Sequence, residues 1–266
     1  MKPLDVKVEQ FGAVEGISDN IKYALNLGLE ELPLGLVRHD GTFVIVGSGP
    51  SVVSQLENIR AEYKAGRPIC AVNGANDFLL ENDIVPSIFL TVDPRAMTGV
   101  NPRPHVNNLK HLHQNTIYAL ASRVHPTTFD HVKDHKVVLW HCYGEENENE
   151  LLKGHLMVGG GTTSGLRAIS FGYIQGFRLF HLYGMDSCLG EKNEKRYNTE
   201  SLIDTVTTIG VKTEGGKEFL CNMAMAAQAN EFQNLWDRIP DLHVKVYGGG
   251  LLAAIIEERN QRGLPT

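Results

Sequence analysis

Two turns rich in glycine and hydroxyl residues carry the residue types that bind phosphate groups. The first is Gly47-Ser48-Gly49-Pro50-Ser51, and the second is Gly160-Gly161-Thr162-Thr163-Ser164. Glycine lets a backbone approach a ligand without Cβ interference, and the unpaired N–H groups at a helix N-terminus favour an anion. Both turns therefore predict nucleotide-phosphate binding. The alternative is that they only meet the geometric needs of a turn and a helix cap.

The first turn matches neither of the two common nucleotide fingerprints. No Gly-Lys-Ser/Thr follows it, so it is not a Walker A loop, and Val52 stands where the third glycine of a dinucleotide fold would be. The pattern favours a transferase-type nucleotide site over an ATPase or a dehydrogenase.

Polar residues also follow other apolar runs. Asn73 and Gly74 end the second predicted strand, and we expect them to bind the nucleotide, although Asn and Gly also form turns. Asp93 ends the third strand and Asp186 follows a later one, and both are predicted to be catalytic. Asp93 is the predicted ligand of a Mg²⁺ that bridges phosphate oxygens. Arg95 is the nearest cation.

Other polar residues are better explained as solvated surface residues than as functional ones. Five histidines lack the spacing of metal ligands and are predicted to be solvated, and the acidic run Glu145–Glu150 is predicted to be a solvated loop. Arg167 is a better candidate for phosphate binding because it follows the second turn closely. The five histidines are His111, His113, His125, His131 and His135.

The chemistry-bearing residues are separated by alternating apolar runs and helical stretches. This alternation predicts right-handed βαβ units, and continuous apolar strands indicate a sheet covered on both faces. The fold class is therefore α/β, a Rossmann-like, mostly parallel sheet flanked by helices. The predicted strands are Thr42–Val46, Ile69–Val72, Ile88–Val92, Ile117–Ala121, Val137–Trp140 and Leu179–Tyr183, and the predicted helices between them are Pro50–Ala65, Asn76–Asn82 and Thr162–Gln175.

The two ends of the chain differ from this pattern. Ile17–Leu32 has helical spacing, and Glu214-Gly215-Gly216 joins two β-rich segments, Val206–Thr213 and Lys217–Leu220, into a predicted hairpin. The hairpin and the following helix form a small C-terminal β-hairpin/helix elaboration. The predicted elements after it are Asn222–Ile239 (helix), Val244–Tyr247 (strand) and a helix from Leu251. We expect a helical extension over 1–40, a catalytic domain over 41–256 and a tail over 257–266.

Composition excludes several classes of function. The net charge of −6 makes duplex nucleic acid an unlikely partner, and no run of apolar residues is long enough to cross a membrane. Four widely spaced cysteines without a CxxC motif predict reduced thiols rather than a zinc site or disulfides. We expect a cytoplasmic enzyme that is able to form a homo-oligomer.

Four motifs, in this order, resemble the family of archaeal 6-hydroxymethylpterin diphosphokinases and the related bacterial motility-accessory proteins linked to flagellin glycosylation. They are IVGSGPS at Ile45–Ser51, AVNGA at Ala71–Ala75, IVPSIFLTVDP at Ile84–Pro94, and the segment from Gly160 to Asp186. The resemblance spans roughly residues 40 to 256. One departure is Ser87, where the family has an aspartate after proline.

The resemblance implies a Rossmann-like sheet similar to that of sialyltransferases that use CMP-activated sugars. It implies that Gly47–Ser51 faces phosphate, that Asn73 contacts the nucleotide, and that Asp93 binds a metal or the substrate. Members divide between diphosphate transfer from ATP to a small hydroxymethyl acceptor with Mg²⁺ and sugar transfer from a CMP-sugar or related nucleotide to a glycan or protein. A non-catalytic nucleotide-binding module is the third hypothesis, because the sequence contains no unmistakable general base.

Overall fold

An eight-stranded, entirely parallel sheet forms the centre of the protein. The computed structural model describes residues 16–35, 37–97, 109–198, 207–239 and 241–266. Among these residues the strand order is β10-β7-β1-β2-β3-β4-β5-β6. The strands are β1 (Thr42–Val46), β2 (Ile69–Val72), β3 (Ile88–Thr91), β4 (Ile117–Ala121), β5 (Val137–Cys142), β6 (Met157–Val158), β7 (Leu179–Tyr183) and β10 (His243–Tyr247).

Burial on both faces explains the continuous apolar strands. All five residues of β1 are buried. Phe43 and Ile45 belong to one hydrophobic core, whereas Val44 and Val46 belong to a second core on the other face. Alternate side chains of a strand point to opposite faces, so two cores require apolar residues at every position. The predicted α/β class and parallel sheet are confirmed.

Helices cover both faces of the sheet. A 3-10 helix at Pro50–Gln55 leads into α2, and α6 follows the edge strand β6 and returns across β3, β2 and β1 before β7 begins. The helices are α1 (Ile17–Asn26), α2 (Leu56–Lys64), α3 (Ala75–Glu81), α4 (Pro126–Val132), α5 (Glu146–Leu151), α6 (Ser164–Ile174), α7 (Met223–Gln233), α8 (Leu235–Arg238) and α9 (Leu251–Gln261).

The first helix is shorter than the predicted Ile17–Leu32. It ends at Asn26, and Gly28 adopts a left-handed φ of 61°. The chain then runs beside β5, where Leu139 donates to the carbonyl of Glu30 and Leu32 donates to the carbonyl of Leu139, each over 2.8 Å. The segment beyond Asn26 therefore pairs with β5 and does not extend the helix.

The acidic run Glu145–Glu150 is not a solvated loop, which corrects the prediction. It forms most of α5, and the side chain of Glu148 is buried. Glu148 is buried because the guanidinium of Arg123 lies 3.7 Å from its carboxylate. A cation from a different segment of the chain is not visible in a local charge pattern, so the run looked solvated.

The C-terminal elaboration contains the predicted hairpin. Strands β8 (Thr208–Lys212) and β9 (Glu218–Asn222) pair antiparallel, and α7 follows them directly. Val206, the predicted start of the hairpin, lies outside the described residues. The helix predicted for Asn222–Ile239 is divided into α7 and α8 at Asn234.

Two further expectations can be compared with the structure. All four cysteines are buried and free of disulfides. Across the described ranges, none of the helices is both long and apolar enough to cross a membrane. The division into residues 1–40, 41–256 and 257–266 stays a prediction.

Candidate functional site

The turns after β1, β7 and β10 meet where the strand order reverses, at the carboxyl edge of the sheet. We call Gly47–Ser51 the first glycine turn. Its Gly47 amide donates to the carbonyl of Tyr183 over 2.8 Å, and its Gly49 amide donates to the carbonyl of Gly184 over 2.9 Å. Two of the donors predicted to bind phosphate are therefore used inside the fold.

Asp186 occupies the space beside the first glycine turn. One of its oxygens accepts the amide of Ser51 over 3.1 Å. The carboxyl is 7% exposed, and this burial raises its pKa while the hydrogen bonds from Ser51 oppose the rise. A Cβ on Gly49 would overlap this carboxylate and lie 2.6 Å from the carbonyl oxygen of Gly184. An internal carboxylate thus stands where a helix N-terminus attracts an external anion.

We call Gly160–Ser164 the second glycine turn, and it leads into α6. Gly160 and Gly161 have φ values of 106° and 97°, which only glycine adopts without strain. The amide and the hydroxyl of Thr162 both donate to Glu231, over 3.0 and 2.9 Å. Thr163 caps the helix by accepting the amide of Leu166. The carboxylate of Glu231 is therefore an anionic group already bound at this turn.

The start of α6 keeps free donors. The amides of Ser164 and Gly165 have no hydrogen-bond acceptor within the described part of the chain. In an α-helix the first four N–H groups lack partners inside the helix, and their dipoles favour a negative charge. The second glycine turn therefore offers more to a phosphate than the first.

Ser164 ties this turn to the ends of β2 and β3. Its hydroxyl oxygen accepts the side-chain amide of Asn73 and the backbone amide of Val92, each over 3.3 Å. Asn73 has a left-handed φ of 51°, and its side-chain oxygen is buried without a partner. The structure thus brings the predicted residues Asn73 and Ser164 together. Gly74 caps α3 with an ordinary φ of −63°.

Asp93 is bound by an arginine. Arg95 donates from Nε to one carboxylate oxygen over 2.7 Å and from a terminal nitrogen to the other. Its backbone amide donates to the first oxygen over 3.1 Å. Asp93 is 6% exposed. With both oxygens engaged, this geometry does not fit Mg²⁺ at Asp93 unless Arg95 moves away.

The two predicted catalytic aspartates lie at separate places along the sheet edge. Asp93 follows β3 and Asp186 follows β7, with β1 and β2 between these strands. Three strand spacings amount to about 14 Å. One ion is too small to contact both carboxylates across that distance. A role for Mg²⁺ and for each aspartate stays a prediction.

A buried cation lies beneath the second glycine turn. Arg167 is 7% exposed and donates to the carbonyls of Gly161 and Tyr143, over 2.7 and 2.9 Å. Its remaining terminal nitrogen is buried without a partner, and among the described residues no carboxylate lies within ion-pair distance. Burial lowers its pKa. A desolvated guanidinium in this state favours an incoming anion.

Arg123 is a residue that the sequence reading missed. It follows β4 at the same edge of the sheet, and its Nε is buried without a partner. A cation directly after a predicted strand was the one indication available in the sequence. Together with Arg95 and Arg167, it places three arginines at the carboxyl edge of β3 to β6, two of them beside the carboxylates of Asp93 and Glu148.

A cluster of two histidines and a glutamate was also missed. Glu31, His141 and His155 each place a potential ligand atom within 4.8 Å of the other two. Their spacing in the sequence gives no indication of this, because Glu31 precedes the sheet and is brought to β5 only by the fold. We call these three residues the His–Glu cluster.

Comparison with known proteins identifies the family. Residues 17–192 match the family described as 6-hydroxymethylpterin diphosphokinase MptE-like. The chain belongs to this MptE-like family. The resemblance carried by the four sequence motifs is thereby confirmed. No curated protein matches the chain.

A solved structure shares the fold of this MptE-like protein. It is described as the structure of MAf glycosyltransferase from Magnetospirillum magneticum AMB-1, with a TM-score of 0.65 and 17% sequence identity. The similarity covers 87% of this chain and 37% of that one. At this identity it shows the fold alone. The description of the matching family names a transferase, which supports a transferase-like function in general terms.

Proposed function

We propose that this MptE-like protein is a nucleotide-dependent transferase that binds the phosphate groups of its donor at the second glycine turn. The observation that carries the proposal is Arg167, a buried guanidinium that has a free donor and no carboxylate partner among the described residues. An unpaired buried cation lowers the stability of the fold. Such a residue is therefore usually found where an anionic ligand binds to it and compensates its charge.

Neighbouring donors support the same position. The amides of Ser164 and Gly165 open α6 without acceptors from the described residues, and Glu231 holds a carboxylate on Thr162. A donor phosphate that displaced Glu231 would gain hydrogen bonds already oriented toward a negative oxygen. The free oxygen of Asn73 is an acceptor for a nucleotide N–H or ribose hydroxyl.

Diphosphate transfer from ATP is the version that family membership favours. The hydroxyl oxygen of a hydroxymethyl acceptor would attack the β-phosphorus, the bond to the oxygen bridging the α-phosphorus would break, and AMP would leave. Arg167 and the amides at the start of α6 would neutralise charge on the phosphoryl oxygens. In this proposal the chain supplies mainly positioning and electrostatic stabilisation.

Sugar transfer from a CMP-sugar is the second candidate. The observation in its favour is the Asp93–Arg95 pair, which keeps the carboxylate at the end of β3 bound to a cation. A carboxylate bound to Arg95 is not available to hold Mg²⁺, and a donor with a single phosphate has less need of a metal ion than a triphosphate. The acceptor would be a glycan or a protein.

Ligand screening separates these candidates. Thermal shift and calorimetry with ATP, ATP plus Mg²⁺, AMP, CMP and CDP identify the nucleotide, because a ligand that binds only the folded state raises its stability. AMP release from ATP with 6-hydroxymethyl-dihydropterin then tests diphosphate transfer. Preference for CMP and CDP supports sugar transfer. Binding without turnover of any donor supports a non-catalytic module.

A substitution tests the position of the phosphate. We expect Arg167→Met to weaken binding of the preferred nucleotide at least tenfold, which is about 1.4 kcal/mol. Arg178→Met is the matched control, because Arg178 precedes β7 at the opposite edge of the sheet and pairs with Asp241. Circular dichroism checks that both variants fold. Equal affinity of a folded Arg167→Met variant and the unmodified protein contradicts the proposal.

A further inference from the structure

The His–Glu cluster joins three separate segments of the chain at the edge of the sheet. Glu31 lies in the segment that pairs with Leu139 of β5. His141 lies two residues further along β5, where it pairs with Met157 of β6. His155 lies in the turn between α5 and β6, and its amide donates to the carbonyl of Leu152 over 3.1 Å. The backbone hydrogen bonds of these segments fix where the three side chains start.

Two distances within the cluster match those between neighbouring ligands of a tetrahedral metal. Nε2 of His141 lies 3.3 Å from a carboxylate oxygen of Glu31, and Nδ1 of His155 lies 3.0 Å from that carboxylate. Metal bonds of 2.0–2.1 Å at the tetrahedral angle separate neighbouring ligand atoms by about 3.3 Å. The Glu31 carboxylate is therefore already at coordination spacing from both histidines, and the ligand atoms of the histidines lie within 4.8 Å of each other.

His141 gives a second, independent indication of a ligand. Its side chain is 1% exposed, and its Nδ1 is buried without a hydrogen-bond partner among the described residues. Its Nε2 lies 3.3 Å from the carboxylate of Glu31 without the geometry of a hydrogen bond. A buried ring nitrogen without a hydrogen bond is unusual in a folded protein unless something else satisfies it.

We propose that Glu31, His141 and His155 bind a divalent transition metal, with Zn²⁺ as the best fit. Two imidazoles and one carboxylate suit Zn²⁺ and its first-row neighbours, whereas Mg²⁺ and Ca²⁺ require oxygen ligands. The ion is thus distinct from the Mg²⁺ predicted at Asp93. It would cross-link the segment before β1, strand β5 and the turn before β6.

The arrangement leaves room for a fourth ligand. His155 lines an open surface pocket of about 440 Å³ together with Tyr143, Glu146 and Met157. Three protein ligands with one open position are typical of zinc sites that hold water or a substrate group, whereas structural zinc sites have four protein ligands. The fourth position would take a water molecule or a small anion from this pocket.

Metal binding to the tag-free, full-length protein tests the proposal. After removal of metals with a chelator, we expect one Zn²⁺ per chain by mass spectrometric metal analysis, and a rise in melting temperature on adding Zn²⁺. Co²⁺ is expected to give the intense visible absorption of tetrahedral coordination. The variants Glu31→Gln and His155→Ala should weaken Zn²⁺ binding at least tenfold and abolish the thermal shift.

The chain contains a matched control. His111 and Glu81 form an exposed pair 3.4 Å apart, without a second histidine. The variants His111→Ala and Glu81→Gln should leave Zn²⁺ binding unchanged. The proposal is overturned if the unmodified protein binds less than a tenth of an equivalent of Zn²⁺. It is also overturned if folded Glu31→Gln and His155→Ala variants both bind Zn²⁺ as the unmodified protein does.

Discussion

The two glycine turns are alike in composition and different in what their donors do. In the first, Gly47 and Gly49 donate to the neighbouring turn after β7, and Ser51 donates to the buried carboxylate of Asp186. In the second, the amides of Ser164 and Gly165 have no acceptor in the described ranges, and the anionic partner is the less buried Glu231.

This difference distinguishes the packing contacts of the first turn from the phosphate binding that we propose for the second. Glycines in the first turn allow close contact between backbones, so their absence of a side chain serves the fold itself. Glycines in the second turn allow left-handed conformations at the start of a helix whose first amides keep no acceptor among the described residues. A glycine-rich turn at a strand end is therefore not by itself a phosphate site. Its N–H groups are available to a phosphate only where they lack acceptors within the protein.

Alanine substitutions at matched glycines should give the largest difference. Gly49→Ala is expected to destabilise the protein by about 3 kcal/mol, because the new Cβ would lie 2.6 Å from the Gly184 carbonyl oxygen. Gly159→Ala, next to the second turn, should change stability by less than about 0.5 kcal/mol, because nothing lies within 4 Å of its Cβ. Urea unfolding measures both. Equal midpoints for the two variants would contradict the close backbone contact at Gly49.

The buried carboxylate of the first turn should make stability depend on pH. Burial raises the pKa of Asp186, so the folded state binds this proton more tightly than the unfolded state does. Its contribution to stability therefore falls as the pH rises from the ordinary aspartate range through the raised pKa. We expect Asp186→Asn to lack this fall and to gain up to about 1 kcal/mol relative to the unmodified protein near neutral pH.

The comparison that tests this is the difference in unfolding free energy between Asp186→Asn and the unmodified protein at several pH values. Other carboxyl groups titrate equally in both proteins and cancel. The asparagine keeps an oxygen that can accept the amide of Ser51. A difference that stays constant from acidic to neutral pH would contradict a raised pKa at this residue.

The smallest expected effect concerns the second turn. Glu231→Gln removes the negative charge that now holds the amide and hydroxyl of Thr162. If a donor phosphate competes for these groups, the variant should bind the preferred nucleotide about threefold more tightly, less than 1 kcal/mol. Glu218→Gln is a control, because Glu218 pairs with Lys212 on the hairpin. Weaker nucleotide binding by Glu231→Gln would argue that Glu231 itself contacts the ligand.

Much of the fold could be predicted because strands covered on both faces leave a strong local pattern. The continuous apolar runs at Phe43–Val46 and Ile69–Val72 are buried as expected. Elements that depend on distant partners were misjudged. Residues 30–32 pair with β5, and the acidic α5 packs its Glu148 near Arg123. Neither partner is within a local window of the sequence.

The candidate site was predictable only as a set of residue types at strand ends. Asn73 and Ser164 do meet, and Arg167 lies beneath the second turn. The sequence could not indicate that Arg95 would occupy both oxygens of Asp93, or that Asp186 would cap the first turn. Those contacts depend on side-chain direction, which composition and spacing do not determine.

The return of α6 across the sheet also has a consequence for the order in which the protein is built. Strands β1 to β5 are added side by side as the chain grows, yet the start of α6 reaches β2 and β3 only after β6 has been synthesised. A nascent chain that has not yet been extended to residue 164 contains the ends of β2 and β3 but lacks the start of α6, which contacts them. If the second glycine turn binds the nucleotide as we propose, affinity for the nucleotide should therefore appear late during synthesis, in a single step as α6 docks.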